Sequence, residues 1–444
     1  MNTPICDFVR AYAESRPVRM HMPGHKGSPG IGPEALDLTE IEGADELYRS
    51  RGIIRESEAN AAALFGASRT VYSAEGSSLC IRAMLYLAML TAKEKGIPCR
   101  LLAGRNAHRT LMTAAALLDL EVDWLLPAPE EGLLSCTVTA EQLEARLGAR
   151  PYMAVYLTSP DYLGNRADLK SAAEACRRHG VPLLADNAHG AYLKFLSPDE
   201  HPVTLGAAAC CDSAHKTLSC LTGAAYLHLS GSAPDGWAEQ AEQAMSLFAS
   251  TSPSWLILQS LDRMNRELAG TWPARLKQAA ARLEGIQKTL RGEGWEPVGS
   301  EPMKLTLNAA ARGYDGTELR ERLSRENIVC EYADRTYLVL MPSADTTEPE
   351  WARLERALRS VTPREPLDGK PPVLPVPEKA CSIREAMLSP RETLPVSEAA
   401  RRILADAAVS CPPAVPVVVA GERITKEAAA CMAYYGISEC QVVR

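Results

Sequence analysis

The stretch VPLLADNAHG occupies residues 181–190, and the stretch GAAACCDSAHKTL occupies residues 206–218. Each stretch begins with a short apolar run, which is typical of a buried strand, and ends in polar residues. Lys216 comes thirty residues after Asp186. In open α/β sheets, ligands bind at the carboxyl ends of the strands. The two predicted strand ends are therefore placed to present Asp186 and Lys216 to one ligand.

An amine and a carboxylate are the two groups that a pyridoxal 5'-phosphate (PLP) enzyme needs. The lysine amine forms an imine with the cofactor aldehyde, and the carboxylate keeps the pyridine nitrogen protonated, so that the ring withdraws electrons from the substrate α-carbon. Each residue alone has a simpler interpretation, because an Asp after a strand is commonly a helix cap and a Lys is commonly a solvated charge. These residues by themselves leave both interpretations open.

The composition is that of a globular protein with 444 residues, 46% hydrophobic residues and a net charge of −7. This length exceeds one ordinary core, so we expect two or three domains. No basic stripe indicates nucleic-acid binding, and no apolar run approaches the roughly 18 residues of a membrane span. The first residues lack the features of a secretory signal, and the thirteen cysteines form no C-x-x-C pair. We therefore expect a cytoplasmic protein with reduced core thiols and no metal site.

Short apolar runs alternate with helical patterns from about residue 55 to residue 179, which predicts an α/β fold with a mostly parallel sheet covered on both faces. A mainly helical segment and a second, smaller α/β unit follow. The predicted strands include residues 69–72, 100–103, 152–157, 181–185, 206–211, 303–308, 328–332 and 336–341.

These patterns divide the chain into five parts. Turn-forming residues predominate at the start, and residues 363–377 contain six prolines, which is typical of a linker. The predicted parts are an N-terminal arm (1–40), a PLP-binding large domain (41–265), a small α/β domain (266–362), a Pro-rich linker (363–379) and a C-terminal α/β domain (380–444).

With these residues in view, the chain resembles the bacterial ornithine/lysine/arginine decarboxylases, which are PLP enzymes of fold type I, in the short form without an N-terminal receiver-like domain. Each motif alone is weak, but their order along nearly the whole chain is specific. The resemblance implies an aspartate aminotransferase-like fold, a PLP cofactor, decarboxylation of arginine, lysine or ornithine, polyamine biosynthesis, and a homodimer or an assembly of dimers. The motifs are His21–Lys26, Arg105–His108, Thr158–Pro160, Asp186–Ala191, Ser213–Leu218, Thr251–Ser254 and Pro412–Pro416.

The resemblance also implies roles for three catalytic residues. Lys216 corresponds to the lysine that holds the cofactor, and Asp186 corresponds to the partner of the pyridinium nitrogen. His215 corresponds to a histidine that acts near the substrate carboxylate or at the carbon that is protonated, which suits an imidazole near neutral pH.

The segment Gly76-Ser77-Ser78 lies between a predicted strand and a predicted helix. A helix N-terminus and two hydroxyls suit a phosphate, whereas N-capping by serine is the simpler interpretation. The other cofactor-binding residues implied by the resemblance are His108, which stacks on the ring, Ala188 and His189 beside it, Ser213 near the phosphate, and Thr251 with Ser252, which reach the phosphate of the neighbouring subunit.

A basic substrate carries a distal cation, for which Asp45 and Glu46 are the candidate carboxylates; a solvated acidic turn is the alternative.

The chain departs from the family pattern at several positions, and these departures concern the substrate and the activity. We expect Glu75 to point away from the phosphate or to pair with a cation such as Arg82. The other departures are Leu79, Asp161, Tyr192 and Ala214.

Two other functions stay open, namely another PLP reaction such as transamination or β-elimination, and a PLP-binding protein without turnover.

Overall fold

The computed structural model describes residues 1–368, 372–376, 378–406 and 414–444. Two compact units are present. Unit 1 contains residues 1–97 and 169–276, and unit 2 contains residues 98–168 and 277–444. The predicted linker overlaps residues outside the described ranges, and so does the start of the motif Pro412–Pro416. The five predicted parts of the chain stay predictions.

The helices and strands alternate along most of the chain, as the apolar runs predict. The helices are α1 (Pro4–Glu14), α2 (Ile53–Phe65), α3 (Ser77–Glu94), α4 (Arg109–Leu118), α5 (Ala140–Ala149), α6 (Leu169–Arg178), α7 (Pro202–Leu205), α8 (Ala214–Thr217), α9 (Trp237–Ser246), α10 (Trp255–Leu268), α11 (Trp272–Gly292), α12 (Gly316–Arg325), α13 (Glu348–Arg359), α14 (Ile383–Leu388) and α15 (Lys426–Tyr434). The strands are β1 (Arg69–Ser73), β2 (Arg100–Gly104), β3 (Glu121–Leu125), β4 (Ala154–Thr158), β5 (Leu183–Asp186), β6 (Ala209–Asp212), β7 (Ala225–Leu229), β8 (Pro297–Val298), β9 (Leu305–Asn308), β10 (Tyr332–Ala333), β11 (Tyr337–Leu340), β12 (Arg391–Pro395) and β13 (Glu439–Val443).

The largest sheet has seven strands in the order β1-β7-β6-β5-β4-β2-β3. The pairs β5–β6, β2–β4 and β2–β3 are parallel, whereas β7 runs antiparallel to both β6 and β1. One reversed strand in an otherwise parallel sheet confirms the predicted α/β fold with a mostly parallel sheet.

In unit 1, strands β1, β5 and β6 end at the same edge of the sheet, because β7 is antiparallel to its two neighbours. Strands β5 and β6 are buried along their whole length, and small Ala and Cys side chains make up most of β6. Strands that are buried along their whole length and apolar up to their last residue are typical of a sheet that is covered on both sides.

Unit 2 contains a four-stranded antiparallel sheet, β10-β11-β9-β8, and a two-stranded antiparallel sheet formed by β12 and β13. The strand predicted at residues 328–332 is wrong for most of its length, because β10 begins only at Tyr332. The N–H of Ile328 still donates to the carbonyl of Leu323, and Asn327 has a φ of 59°, so the exit from α12 uses these residues. The hydrophobic core of unit 2 includes Leu133, Leu163, Val339, Val396, Leu404, Val418, Met432 and Val442.

Two sequence expectations concern the whole chain. Within the ranges described, no helix has both the length and the apolar character needed to cross a bilayer. The cysteines of the described part are free thiols, and Cys411 lies outside that part.

Candidate active site

Two strand ends of unit 1 bring the predicted lysine and aspartate to one edge of the sheet. Strand β5 ends at Asp186, which is 3% exposed, and the register of the parallel ladder places Asp186 opposite Cys211. Strand β6 ends at Asp212, one residue after Cys211, and leads through Ser213 into α8, which carries Lys216. Asp186 and Lys216 therefore follow neighbouring parallel strands, as the sequence pattern requires for a shared ligand.

The Lys216 side chain is exposed and reaches back to a buried imidazole. Its Nζ atom lies 3.1 Å from Nε2 of His189, and His189 is 8% exposed. His189 follows Asp186 by three residues, so the turn after β5 supplies both the acid and the contact for the amine.

The carboxylate of Asp186 accepts hydrogen bonds from the turn after β5 and from the neighbouring strand β6. Its Oδ1 atom accepts the N–H of Ala188 at 3.2 Å and the thiol of Cys211 at 3.6 Å. Burial raises the pKa of Cys211 well above its usual value, so the thiol stays protonated and donates. Cys211 was not predicted as a site residue from the sequence; its position opposite Asp186 in the ladder identifies it.

The turn before α3 forms a cradle for an anion. Gly76 has a φ of 74°, its N–H donates to the carbonyl of Gly223 at 2.7 Å, and a Cβ atom on Gly76 would meet nothing within 4 Å. The N-cap residue of α3 is Gly76, which has no side chain to cap the helix, and the hydroxyls of Ser213 and Ser77 are 2.8 Å apart. The start of an 18-residue helix, with open space at its N-cap glycine and serine hydroxyls nearby, fits a phosphate.

Glu75 points toward another loop of unit 1. Its Oε1 atom accepts the N–H of Ser250 at 2.7 Å, whereas the sequence predicts that Glu75 either points away from the phosphate or pairs with a cation such as Arg82. The neighbouring residues Thr251 and Ser252 are exposed, and the N–H of Ser252 donates to Oγ of Ser250. The acidic departure from the family pattern thus connects the turn before α3 to the segment that contains Thr251.

His215 is half-buried next to Lys216. Its Nδ1 atom lies 2.9 Å from the carbonyl oxygen of Ala224, which makes Nδ1 the protonated nitrogen of the neutral ring. Burial lowers the pKa of His215 below its usual value despite the hydrogen bond to Ala224, and the charge of Lys216 lowers it further. The neutral ring presents Nε2 as a proton acceptor.

His108 belongs to unit 2, where it is the N-cap residue of α4. Its Nδ1 atom accepts the N–H of Thr110 at 3.2 Å and lies 2.8 Å from the Thr110 hydroxyl. This capping bond fixes the ring on one side of the helix start. Stacking of His108 on a cofactor ring stays a prediction.

The two candidate carboxylates for a basic substrate differ in their contacts. Asp45 caps the N-terminus of α2, where its oxygens accept backbone N–H groups. Glu46 is exposed, and its Oε1 lies 3.7 Å from Arg49. Glu46 is thus the more available carboxylate. The amides that Asp45 accepts are those of Glu46, Arg51, Gly52, Ile54 and Arg55.

The other departures from the family pattern are structural in this chain. Asp161 is buried in unit 2, where it accepts the N–H groups of Leu163 and Asn165 and so holds the loop after β4. The remaining three departures have buried side chains with at most 1% exposure, namely Leu79, Tyr192 and Ala214.

Known protein families match this chain over most of its length. The Orn/Lys/Arg decarboxylase major domain matches residues 3–291, and the Orn/Lys/Arg decarboxylase C-terminal domain matches residues 373–441. The chain belongs to the Orn/Lys/Arg decarboxylase family. This membership makes the protein an enzyme of the decarboxylase class and implies PLP as the cofactor.

Relatives of this family member align along nearly all of its sequence. "Uncharacterized protein YaaO" and an arginine decarboxylase, both from Bacillus subtilis (strain 168), are 29% and 28% identical to it. Both alignments cover 96% of this chain, and they cover 93% and 92% of the two relatives. The constitutive lysine decarboxylase of E. coli superposes with a TM-score of 0.79 at 18% identity, over 100% of this chain and 82% of that chain. The structural likeness supports the fold, and these findings confirm the predicted family.

Proposed function

We propose that this Orn/Lys/Arg decarboxylase family member catalyses the PLP-dependent decarboxylation of a basic amino acid, with arginine as the first substrate to test. The observation that carries the proposal is the placement of Lys216 and Asp186 at adjacent strand ends of unit 1. The name of the arginine decarboxylase relative supports arginine, while lysine and ornithine carry the same distal cation. The product would be the corresponding amine and CO2.

The residues of unit 1 fit the cofactor group by group. When bound, PLP supplies an electron-withdrawing ring that accepts the electrons of the bond to the departing carboxylate. Asp186 would hold a proton at the ring nitrogen, and its bonds to Ala188 and Cys211 keep that carboxylate oriented. The start of α3, with Ser77 and Ser213, would bind the phosphate.

Lys216 and His215 would handle protons near the substrate α-carbon. His189 accepts a hydrogen bond from the Lys216 amine, which holds that amine at the edge of the sheet. His215 is a neutral acceptor through Nε2, because Nδ1 donates to the carbonyl of Ala224. Glu46 would bind the distal cation of the substrate by a charge-assisted hydrogen bond.

The proposal extends to the assembly and its setting. We expect a cytoplasmic homodimer, or an assembly of dimers, in which Thr251 and Ser252 complete the phosphate site of the neighbouring subunit. The amine product would serve polyamine biosynthesis. Both residues are exposed in the single chain and so are accessible to a second copy.

Product identification tests the function. Purified protein with PLP is incubated separately with L-arginine, L-lysine and L-ornithine, and CO2, the amine and the keto acid are quantified. We expect stoichiometric CO2 and amine from one of the three, no keto acid, and loss of both products in Lys216→Ala. Lys170→Ala, which removes an exposed lysine of α6, is the matched control and should retain activity. Keto acid without CO2 would indicate transamination, and bound PLP without any product would indicate a binding protein.

A further inference from the structure

A buried carboxylate, that of Asp212, lies where strands β5 and β6 end at the proposed site. Asp212 is the last residue of β6, and its side chain is surrounded by those of Asn187, His201 and His228, all four with 0% exposure. Asn187 follows Asp186, and Asp212 precedes Ser213. The cluster therefore joins the two turns that carry the proposed catalytic residues.

The hydrogen bonds of the cluster all converge on Asp212. The amide nitrogen of Asn187 donates to Oδ1 at 2.6 Å, and Nε2 of His201 donates to Oδ2 at 2.9 Å. Nε2 of His228 lies 3.4 Å from the same Oδ2 atom. Burial alone would raise the pKa of Asp212, but its interactions with His201 and His228 hold the pKa below its usual value. Asp212 is thus a buried anion.

His201, Cys210 and Asp212 place three ligand-type atoms close together, an arrangement that also occurs in metal sites. The hydrogen atoms on the side chains of His201 and Cys210 argue against a bound metal ion. Nδ1 of His201 accepts the N–H of Val203 at 3.4 Å, so Nε2 carries the ring hydrogen and has no lone pair for a metal. Burial also raises the pKa of Cys210 well above its usual value, so this side chain is a thiol. The cluster is a hydrogen-bonded one.

The position of the cluster between the Asp186 turn and the Lys216 turn indicates what it does. The backbone N–H of Asn187 also donates to the carbonyl of Cys211 at 3.0 Å, so side chain and main chain together fix Asn187 against the end of β6. We propose that Asp212 is a positioning residue, which through Asn187 holds the Asp186 turn and the Lys216 turn in register for PLP. This inference rests on the proposed function, since PLP is the ligand that both turns would contact.

A reciprocal exchange of the two side chains tests the proposal. Asn187→Asp places two buried carboxylates in contact and should raise the dissociation constant for PLP roughly 10- to 100-fold. The double variant Asn187→Asp with Asp212→Asn should recover most of that loss. In the double variant the amide at position 212 donates to the carboxylate at 187, while its oxygen accepts from His201.

The readouts are the PLP dissociation constant, from cofactor absorbance, and the melting temperature of the apoprotein. Asp262→Asn is the matched control, because Asp262 is a carboxylate with 0% exposure in unit 1 that bonds to Ser57 and the N–H of Cys6. This control should lower the melting temperature and leave PLP affinity unchanged. If Asn187→Asp does not fold, Asn187→Ala removes the bond without adding charge and should weaken PLP binding in the same direction.

Three results would overturn the positioning role: unchanged PLP affinity in both Asn187 variants, a double variant no better than Asn187→Asp, or an equal loss of affinity in Asp262→Asn. A stoichiometric metal in the purified protein that is lost in Asp212→Asn would overturn it as well. Failure of the wild-type protein to bind PLP would instead reject the proposed function. Wild-type PLP binding without any coupling between positions 187 and 212 would reject this inference alone.

Discussion

The Nζ atom of Lys216 lies 3.1 Å from the Nε2 atom of His189. The imidazole is buried and comes from the turn after β5, whereas the amine is exposed and comes from α8 after β6. The contact is thus a link between two strand-end turns as well as a hydrogen bond to the amine. The sequence places His189 only generally beside the cofactor, and from this contact we propose that His189 orients Lys216.

His189→Phe keeps a ring of similar size and removes the acceptor for the amine. We expect PLP to attach to Lys216 roughly tenfold more slowly, which is the scale of one lost hydrogen bond. His189→Gln retains an acceptor and should recover part of the rate. Stopped-flow absorbance after PLP is added to the apoprotein measures this rate. Identical rates in His189→Phe and the wild type would show that the contact has no role in the reaction of Lys216.

Asp186→Asn preserves the shape of the side chain and removes its charge. The proton on the ring nitrogen would lose its partner, and we expect turnover to fall on the order of 10²- to 10³-fold, as for other single electrostatic groups in active sites. Steady-state kinetics with the substrate found in the product assay measures the loss. Asp262→Asn is the control for a buried carboxylate elsewhere in unit 1. Near wild-type turnover in Asp186→Asn would exclude the role assigned to it.

The lowered pKa of His215 predicts that kcat/KM falls on the acid side of its pH profile. Its pKa lies below the usual 6.5, so kcat/KM should be constant above pH 6.5 and fall as the pH drops through this lowered pKa. The free energy of unfolding should fall over the same window, because the unfolded chain binds the proton at a higher pH than the folded one. His215→Gln should remove the acid limb and lower kcat about 100-fold, and it should reduce the fall in the free energy of unfolding without abolishing it, because burial also lowers the pKa of His228.

His179→Gln, at an exposed position of unit 1, is the control for that experiment and should retain both effects. Kinetics and urea unfolding from pH 5 to pH 8 are the measurements. An acid limb that persists unchanged in His215→Gln would assign the titration to another group.

Thr251 tests whether the active site is shared between subunits. Thr251→Ala and Lys216→Ala should each be poorly active, and mixing them should recover up to about a quarter of the wild-type activity. Half of the randomly exchanged dimers are mixed, and one of the two sites in each mixed dimer is intact. Thr251→Asp, which sets a charge against the phosphate, replaces Thr251→Ala if the latter is only mildly impaired.

The bond between Glu75 and Ser250 connects the Thr251 segment to the phosphate turn of its own chain, which makes a contribution within one subunit the rival. Native mass spectrometry confirms the exchange of subunits. Exchange without any gain in activity would assign Thr251 to its own subunit or to no site.

The sequence predicts the elements whose chemistry is local. Strand β5 and strand β6 are short apolar runs followed by polar residues, so their ends, and with them Asp186 and Lys216, can be located without a structure. The apolar pattern at residues 328–332 misled the strand prediction, because Ile328 belongs to the local end of α12: its N–H donates to the carbonyl of Leu323, and Asn327 before it has a φ of 59°.

Contacts that depend on strand register could not be predicted. Cys211 ends the apolar run and Asp212 directly follows it, and only the pairing of β5 with β6 shows that they contact Asp186 and Asn187. Asp45 was a candidate for substrate binding because of its charge. Its role as the cap of α2 involves amides up to ten residues away, and no short motif encodes it.

The most direct test of the account is the identification of the residue that binds PLP covalently. The holoprotein is reduced with borohydride and digested, and the phosphopyridoxyl group is located by mass spectrometry, with Lys216→Ala and Lys170→Ala treated in parallel. We predict one labelled peptide with the group on Lys216, the same label in Lys170→Ala, and no labelled peptide in Lys216→Ala. A label on any other lysine, or an equal label in Lys216→Ala, would contradict the assignment of the active site.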